Sequence, residues 1–362
     1  MPLNHYVTLG RSGLRVSPLC LGTMTFGLDW GWGSSADDSR SIMDAYIDRG
    51  GNFLDTANIY TKGHSEKIIG DHIGSKPAKR DRMVIATKFM GNMFLGDPNG
   101  GGAGRKSILA ACDESLRRLQ TDYIDLYWQH FWDKLTPIEE TLRALDDLVR
   151  AGKIRYVGFS DTPAWKCAQA QTLAALKGWS PLIALQIEYS LLERTVEAEL
   201  IPMALELGMG VTPWSPLKGG VLSGKYTRQN QPPPGRGEWV AGHLKEKAFV
   251  IIDALIAIAK QVGATPAQVA LNWVQNRPGV AGGGSSIIGA RTMDQLLDNL
   301  GALDIHLLPE HLATLDEVSK VPLAFPFDFV NMVRHNVQGG TTVNGQPSTA
   351  WALAPQSDAE RH

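Results

Sequence analysis

Four side chains that can carry charge or exchange protons stand at or near the ends of short apolar runs. The stretch NFLDTANIY places Asp55 at the end of one run and Tyr60 five positions later, Lys88 ends MVIATK, and His130 ends IDLYWQH. An ammonium beside a phenol favours the phenolate, so a Lys88–Tyr60 pair would lower the pKa of the phenol. A carboxylate facing the ammonium would keep it charged inside an apolar cleft. Together these residue types suit general acid–base chemistry.

Each of these residues alone also has an ordinary structural explanation. A D-x4-Y spacing is frequent by chance, a lone Lys88 would be a solvated strand end, and a lone His130 would be a hydrogen-bonded core histidine. Asp55 and Lys88 together have the alternative of a purely structural ion pair. The joint placement of all four at strand ends favours a functional site, because active sites of α/β barrels lie at the carboxyl ends of the strands.

Eight strand-like runs would position these residues. In chain order they are PLCLG, NFLDT, MVIATK, IDLYWQH, IRYVGFS, LIALQIEY, MGVTPW and SSIIGA. Helical stretches separate them, which requires parallel strands with the helices outside. A doubly wound dinucleotide-binding sheet would show GxGxxG after an early strand, and the sequence has none. We therefore expect an α/β fold, a (β/α)8 TIM barrel over about residues 17–318 within a single domain of residues 1–362.

Several segments lie outside these eight units. The runs HYVTLG and LRVS predict an N-terminal hairpin. Residues 228–243, RQNQPPPGRGEWVAGH, predict a long loop after strand seven, of a length typical of a functional flap. Beyond the barrel lies a C-terminal extension, and its tail at about 344–362 has weak periodicity and is a candidate for disorder.

Three helices are expected to begin at Thr-Pro pairs. A threonine can cap the free N–H groups of a helix, proline fits the first helical position, and a Glu or Gln three residues after the threonine completes a capping box. The pairs, with the box residue where there is one, are Thr136–Pro137 with Glu139, Thr162–Pro163, and Thr265–Pro266 with Gln268.

Composition excludes several classes of function. The formal net charge is -2 without a basic block, so neither nucleic acid nor an anionic membrane is an expected partner, and a small molecule is. Cys20, Cys112 and Cys167 are odd in number and form no CxxC motif, so we expect neither a disulfide framework nor a metal site. No apolar run approaches 18 residues and the N-terminus has no apolar signal region, so a cytoplasmic protein is expected. The oligomeric state stays open.

The chain resembles the aldo-keto reductases over about residues 6–318. The motifs that carry this likeness stand in the family's order: DTANIY, ATKF, LYWQH, GFSD, QIEYSLLER, TPWSPLKGGVLSGKY and IIGARTMDQLLDN. The resemblance implies the family's barrel and an NADPH-dependent oxidoreductase that reduces an aldehyde or ketone to an alcohol. It also implies that Asp55, Tyr60, Lys88 and His130 are the catalytic residues.

The chemistry of carbonyl reduction gives each of these four residues a role. A hydride must reach carbon and a proton must reach oxygen, and since no side chain supplies a hydride, a nicotinamide must. Tyr60 would donate the proton, Lys88 would lower the pKa of Tyr60, and Asp55 would keep Lys88 charged. His130 would hydrogen-bond the substrate oxygen and fix its position.

A second group of residues is expected to bind NADP(H). Trp214 offers a flat face for the nicotinamide. Gly289 and Arg291 stand at a predicted helix start, where free N–H groups attract phosphate, although Arg291 has the alternative of a surface charge. Asp161 stands where many family members carry asparagine, and as a carboxylate it can accept but cannot donate a hydrogen bond. The resemblance adds Ser160 and Gln186, which would hold the carboxamide of the nicotinamide. It also adds Gly22, Thr23, Met24, Asp55, Ser215, Pro216, Leu217, Lys218, Gly220, Lys225, Gln295 and Asn299.

Three tryptophans predict the substrate side. Trp30, Trp32 and Trp132 fall on loops after strands one and four, where they would form an aromatic wall for flat or ring-bearing substrates. Two other functions remain open. One is a nicotinamide-binding regulatory subunit whose main output is partner binding. The other is a barrel glycosidase that uses Asp55 and Glu188 as its paired carboxylates.

Overall fold

A computed structural model describes residues 2–230 and 240–361 of the chain. Its central feature is a parallel sheet of eight strands, each hydrogen-bonded to the next. The strands are Leu19–Gly22 (β3), Phe53–Asp55 (β4), Val84–Phe89 (β5), Ile124–Gln129 (β6), Ile154–Ser160 (β7), Leu182–Glu188 (β8), Gly210–Trp214 (β9) and Ser286–Gly289 (β10). They follow chain order in space except that β10 pairs with β3.

The two edges of this sheet meet between β9 and β10. There the backbone N–H of Ser285 donates to the carbonyl oxygen of Val211 at 3.3 Å. The sheet is thereby a nearly closed cylinder, and the predicted (β/α)8 barrel is confirmed. All eight predicted runs contain a barrel strand.

Helices surround the strands, as the alternating pattern predicts. Within the described ranges of the first 319 residues the α-helices are Ala36–Asp48, His64–Ile69, Pro77–Arg80, Arg105–Leu119, Ile138–Arg150, Ala164–Lys177, Leu200–Glu206, Glu246–Val262, Pro266–Gln275, Met293–Leu300 and Pro309–Ser319. The larger apolar cluster fills the space between these helices and the outer face of the sheet.

The predicted N-terminal hairpin is also confirmed. Val7–Thr8 (β1) pairs antiparallel with Arg15–Val16 (β2). Its turn is bonded to the lower end of the barrel, where Gly10 N–H donates to Gly283 O at 2.9 Å and Arg11 N–H donates to Gly208 O at 2.8 Å. The hairpin therefore covers the end of the barrel opposite the carboxyl ends of the strands.

The barrel interior is apolar at its lower end and polar at its upper end. Phe53, Ala86 and Trp128 belong to an apolar cluster inside the cylinder. Trp128 lies so close to Gly158 that a Cβ there would come within 2.3 Å of the indole ring, which explains why a residue without a side chain faces it. Since side chains alternate between the faces of a strand, the residue two positions after each of these also points inward, one layer higher.

Only one of the three predicted helix caps forms as expected. Thr265 accepts from the backbone N–H of Gln268, and the Gln268 side chain accepts from the Thr265 N–H, a complete capping box. The other two predictions were wrong. These helices begin at Ile138 and Ala164, because Pro137 and Pro163 have extended backbones, with ψ of 132° and 144°, and take the N-cap positions. The hydroxyl of Thr136 donates to Asp133 Oδ2 at 2.6 Å, and that of Thr162 donates to the carbonyl of Ser160 at 2.8 Å.

The chain divides into two compact units, residues 1–319 and residues 320–362. The second unit contains the helix Phe327–Gln338 and an antiparallel pair of Thr342–Val343 with Gln346–Pro347. The predicted barrel limit near residue 318 lies beside this division. Of the predicted loop 228–243, residues 231–239 lie outside the described residues.

No single helix in the described ranges is long and apolar enough to span a membrane. The pair Glu246–Val262 and Pro266–Gln275 passes that test of length and hydropathy together, and it is bent by 96° at its break.

Candidate active site

The four predicted catalytic residues lie together at the carboxyl ends of three neighbouring strands. Asp55 is two positions beyond Phe53 on β4, Lys88 is two beyond Ala86 on β5, and His130 is two beyond Trp128 on β6. Strand alternation therefore turns all three side chains into the barrel, directly above its apolar layer. Tyr60 follows in the turn after β4 and reaches the same point.

Lys88 is the centre of this cluster. Its side chain is 0% exposed and that of Asp55 is 2% exposed. The Lys88 ammonium donates to the Asp55 carboxylate, to the carbonyl oxygen of Thr56 at 2.8 Å and to the Tyr60 hydroxyl at 3.2 Å. All three of its protons have acceptors, which offsets the cost of burying a charge. Burial alone would lower the pKa of Lys88, but Asp55 and Tyr60 prevail and raise it, so the amine is cationic.

Tyr60 differs from the prediction in the direction of its pKa shift. Burial raises the pKa of the phenol, and the Lys88 ammonium, which acts to lower it, does not overcome that effect. The prediction that the pKa would be lowered was wrong, because removing water destabilises the phenolate more than the ammonium stabilises it. The phenol is therefore protonated at neutral pH.

The turn that carries Tyr60 is held in an unusual conformation. Thr61 and Lys62, the next two residues, both have left-handed backbones, with φ of 45° and 58°. A β-branched residue rarely adopts this conformation. The Thr61 hydroxyl donates to the carbonyl of Phe26 at 2.7 Å and accepts from the Ser65 N–H at 3.0 Å. These two bonds fix the turn beside the hydroxyl of Tyr60.

His130 is held as a neutral ring. Burial, followed by the nearby Lys88 ammonium, lowers the pKa of His130 to about 3. Its ring lies 5.7 Å from the Tyr60 ring, at 79° to it. Within the described residues its Nδ1 atom is buried without a hydrogen-bond partner. A neutral imidazole in this place can donate one hydrogen bond to a substrate oxygen without adding charge.

The second oxygen of Asp55 connects this cluster to the opposite side of the barrel. Gln186 on β8 donates from Nε2 to Asp55 Oδ2 at 3.0 Å. Gln186 was expected at the cofactor carboxamide, and in this structure its side-chain nitrogen is bonded to the catalytic group. Two contacts near this cluster were not predicted. The Thr56 carbonyl accepts from Lys88, and the Ser65 hydroxyl lies 2.8 Å from the hydroxyl of Thr23. A backbone acceptor leaves no signal in residue types.

A second polar group surrounds Trp214 at the end of β9. The Trp214 indole donates from Nε1 to Asp161 Oδ1 at 3.0 Å. Lys218 donates to Glu188 Oε1 at 2.5 Å. Glu188 and Asp55 thus each pair with a lysine, so neither of these two carboxylates is free to act as the acid that a glycosidase needs.

The loop after β9 combines left-handed residues with a lysine. Ser215, Lys218, Gly219 and Gly220 all have positive φ, between 47° and 97°. The N–H groups of Lys218, Gly219 and Gly220 are bonded within the loop, to Ser215 O, Ser215 Oγ and Leu217 O. The ammonium of Lys225 lies close by, 3.6 Å from where a Cβ of Gly220 would stand. The predicted residues Pro216 and Leu217 belong to the same loop. The Lys225 ammonium is the group here that fits a pyrophosphate.

The loop after β10 holds the remaining predicted cofactor residues. Gln295 accepts from the backbone N–H of Arg291 at 2.9 Å, and Asn299 donates to the carbonyl of Gly289 at 3.0 Å. Both side chains therefore brace the loop that leads into the helix Met293–Leu300. A Cβ at Gly289 would meet no atom within 4 Å, so there is open space beside the start of this helix.

Gly22, Thr23 and Met24 lie at the end of β3, next to the catalytic cluster. The backbone N–H of Thr23 donates to the carbonyl of Asp55 at 2.9 Å. The Met24 side chain is 41% exposed. Ser160, at the end of β7, is buried.

The predicted pocket tryptophans form two groups of rings, one of which contacts Tyr60. Trp30 lies 5.5 Å from Trp32 and 6.5 Å from Tyr60, edge-on to the phenol. In the second group Trp132 lies 5.5 Å from Trp165, nearly perpendicular. Trp165, which is 58% exposed, was missed because it stands in the first turn of a helix rather than in a strand-end motif.

No group of three or more His, Cys, Asp or Glu side chains in the described part of the chain is arranged to hold a metal ion. Cys20, Cys112 and Cys167 are free thiols in the core.

Comparison with known proteins identifies the family of this chain. The model of the aldo/keto reductase family matches residues 18–320. Uncharacterized oxidoreductase YrpG of Bacillus subtilis is 39% identical over 327 residues, 88% of this chain and 97% of the relative. Aryl-alcohol dehydrogenase [NADP(+)] of Phanerodontia chrysosporium is 34% identical, covering 87% and 86%. Norsolorinic acid reductase of Aspergillus flavus is 34% identical, covering 90% and 84%. With a family match over most of the chain and relatives of this identity along nearly their whole length, the protein is an oxidoreductase that belongs to the aldo/keto reductase family.

Proposed function

We propose that this protein is an NADPH-dependent reductase that converts an aldehyde or ketone into an alcohol, with Tyr60 as the proton donor. The observation that carries the proposal is the contact of one buried ammonium, Lys88, with both the Asp55 carboxylate and the Tyr60 hydroxyl. A phenol in this position is protonated at rest, as a proton donor must be.

The reaction divides between the cofactor and the protein. The bound reduced nicotinamide supplies the hydride to the carbonyl carbon. As negative charge develops on the carbonyl oxygen, the Tyr60 hydroxyl gives it a proton, and the adjacent Lys88 ammonium stabilises the phenolate that is left. Asp55 holds Lys88 charged and in place. Neutral His130 donates a hydrogen bond to the same oxygen and so orients the carbonyl. A proton from solvent then restores Tyr60.

The choice of NADPH rests on the phosphate side of the site. Arg291 precedes the first turn of the helix Met293–Leu300, and a guanidinium at a helix N-terminus suits a 2′-phosphate. The Lys225 ammonium beside the loop after β9 suits the pyrophosphate. The printed name of the Phanerodontia relative includes NADP(+), which agrees with this choice.

The expected substrate is a small carbonyl compound with an aromatic ring. Trp30 stands edge-on to Tyr60, and Trp132 stands two residues after His130, so we expect rings to flank the place where the carbonyl lies. Aromatic faces and edges recognise other rings. Relatives named for aryl alcohols and for norsolorinic acid support the same class.

The test is the Tyr60→Phe variant, which removes one oxygen atom and keeps the ring. Cofactor consumption with an aromatic aldehyde should fall by about 10²- to 10⁴-fold, while NADPH binding stays close to that of the wild type. Tyr6→Phe, which removes an exposed hydroxyl near the N-terminus, is the matched control and should keep full activity. Undiminished turnover in Tyr60→Phe would refute the assigned role. Tight NADPH binding by the wild type without turnover of any carbonyl would favour the regulatory subunit.

A further inference from the structure

Asp161 is a carboxylate at a position where many aldo-keto reductases carry the amide of asparagine. Its backbone and one of its oxygens are held in place. It follows β7 with a left-handed backbone, φ 40°. Its N–H donates to the carbonyl of Gln186 at 3.1 Å, and its carbonyl accepts from the Trp132 N–H at 3.4 Å. Its Oδ1 atom accepts from Trp214 at 3.0 Å. The carboxylate is thus held by the indole on which the nicotinamide is expected to stack, and the Ser160 hydroxyl also donates to it.

A nicotinamide carboxamide presents one acceptor oxygen and two N–H donors. One N–H of the Gln186 side chain already donates to Asp55, which leaves its oxygen and one N–H for the carboxamide. Ionised Asp161 offers only oxygen, and the Ser160 hydroxyl already donates to it. Oxygen acceptors thus serve the N–H groups of the carboxamide, and the second N–H of Gln186 is the donor left for the carboxamide oxygen. A protonated Asp161 would supply a second donor, as an asparagine does.

The charges that face Asp161 are nearly balanced. Glu188, from the end of β8, disfavours the carboxylate, although Lys218 pairs with Glu188. Lys88 acts in the opposite direction. Tyr60 and His130 are both neutral. Burial, with Glu188 adding to it, raises the pKa of Asp161 to about 6, even though the side chain is still exposed to solvent at the barrel mouth. A ring stacked on Trp214 would remove part of that solvent, which destabilises the carboxylate further.

We propose that Asp161 takes up one proton when the reduced nicotinamide binds and stays ionised when the oxidised nicotinamide binds, so that this residue sets the relative affinity for the two cofactor forms. The inference rests on the proposed function, since it needs a nicotinamide on Trp214. The reduced ring is neutral and only displaces water from the carboxylate. The oxidised ring is a cation and stabilises a carboxylate beside it. The proton comes from solvent, and no covalent bond is made or broken.

The prediction is a difference in pH dependence between the two cofactor forms. Between the pKa of Asp161 in the free protein and its higher value with NADPH bound, the affinity for NADPH should rise about tenfold for each unit by which the pH falls. The affinity for NADP⁺ should not rise in this way. Both cofactors also carry a 2′-phosphate that titrates near neutral pH, so 2′,5′-ADP, which has the phosphates without the nicotinamide, gives the reference.

The experiment is calorimetric titration of the full-length protein with NADPH, NADP⁺ and 2′,5′-ADP at pH 7, in buffers of different ionisation enthalpy. We expect the wild type to take up about one proton more with NADPH than with 2′,5′-ADP, and no excess with NADP⁺. Asp161→Asn should abolish this excess and shift the affinity ratio toward NADPH. Asparagine tolerates the left-handed backbone and keeps an acceptor for Trp214, so the variant isolates the charge.

The outcomes separate this inference from the proposed function. Equal proton uptake with NADPH and 2′,5′-ADP in the wild type would overturn the role of Asp161 and leave the reductase proposal in place. So would an unchanged excess in Asp161→Asn. Failure of all three ligands to bind would overturn both.

Discussion

Replacing His130 with glutamine should remove part of the protein's sensitivity to acid. The folded protein keeps this ring neutral, with its pKa lowered to about 3, whereas an imidazole in the unfolded chain has a pKa of about 6.5. Below pH 6.5 the unfolded state therefore binds a proton that the folded state does not. A group of this kind contributes its full stability above the unfolded pKa and loses it as the pH falls toward the folded value.

The magnitude at pH 5 follows from this difference. The unfolded ring lies about 1.5 pH units below its pKa and is almost fully protonated, while the folded ring is still neutral. At about 1.36 kcal/mol per unit, His130 should lower the free energy of unfolding at pH 5 by about 2 kcal/mol relative to pH 8. In His130→Gln this contribution is absent, because glutamine does not titrate.

The assay is urea unfolding of the wild type and His130→Gln at pH 8 and pH 5. The drop in unfolding free energy between the two pH values should be about 2 kcal/mol smaller in the variant. His5→Gln, at an exposed position, is the control and should follow the wild type, since water surrounds that ring in both states. An identical drop in wild type and His130→Gln would refute the neutral, buried histidine, and with it the argument that His130 acts as an uncharged hydrogen-bond donor.

Three further predictions concern single contacts. Lys88→Met should lower the free energy of unfolding in urea by about 3–5 kcal/mol, because Asp55 is left buried without its cation. The double variant that also carries Asp55→Asn should recover part of that loss, and no recovery would mean that the broken ion pair is not the cause. Thr265→Ala should lower the free energy of unfolding by about 1 kcal/mol through loss of its capping box, so an unchanged urea midpoint would contradict the cap. Trp30→Ala should reduce kcat/KM for ring-bearing aldehydes relative to aliphatic ones by about fivefold, equivalent to about 1 kcal/mol of aromatic contact with substrate and Tyr60, and equal losses for both classes would exclude ring recognition.

The barrel and the position of the predicted catalytic cluster could be predicted because both depend on the two-residue alternation of side chains along a β-strand. Each barrel strand is short and apolar, and its polar residue stands two positions after a buried one, as Asp55 does after Phe53 and Lys88 after Ala86. Alternation then fixes which face of the sheet the polar group shares. A repeated pattern of this kind tolerates errors of several residues in strand boundaries, so the architecture follows from the sequence.

Features that depend on competition between backbone conformations could not be predicted in the same way. Thr136 and Thr265 both precede proline and have Glu or Gln at the box position, yet only Thr265 caps its helix. Both hydroxyls donate to a carboxylate, so the difference lies in the proline: Pro137 stays extended, with ψ of 132°, whereas Pro266 is the first helical residue. The sequence shows that both threonines can cap, but it does not show which backbone conformation the following proline adopts.

The pKa of Tyr60 depends on a different competition, and its outcome bears on the mechanism. Residue types indicate the attraction of Lys88 for a phenolate, but the cost of desolvation depends on how completely the barrel surrounds the phenol. The structure shows that burial dominates. In the proposed mechanism Lys88 therefore acts less by ionising Tyr60 at rest than by stabilising the phenolate during proton transfer, when the substrate oxygen takes the proton.

Tyr60 is more accessible to a ligand than Lys88 or Asp55, which agrees with its proposed role as the proton donor. Lys88 is 0% exposed and Asp55 is 2% exposed, whereas Tyr60 is only half-buried. Every proton of the ammonium is already bonded, so a substrate oxygen cannot bind Lys88 without displacing one of these partners. The phenol is the member of this network that a ligand reaches first, and the buried charges act on the ligand through it. A purely structural Asp55–Lys88 ion pair would not require that one N–H of the ammonium donates to a partly buried phenol. Nor would it require that this phenol be followed by two successive left-handed residues.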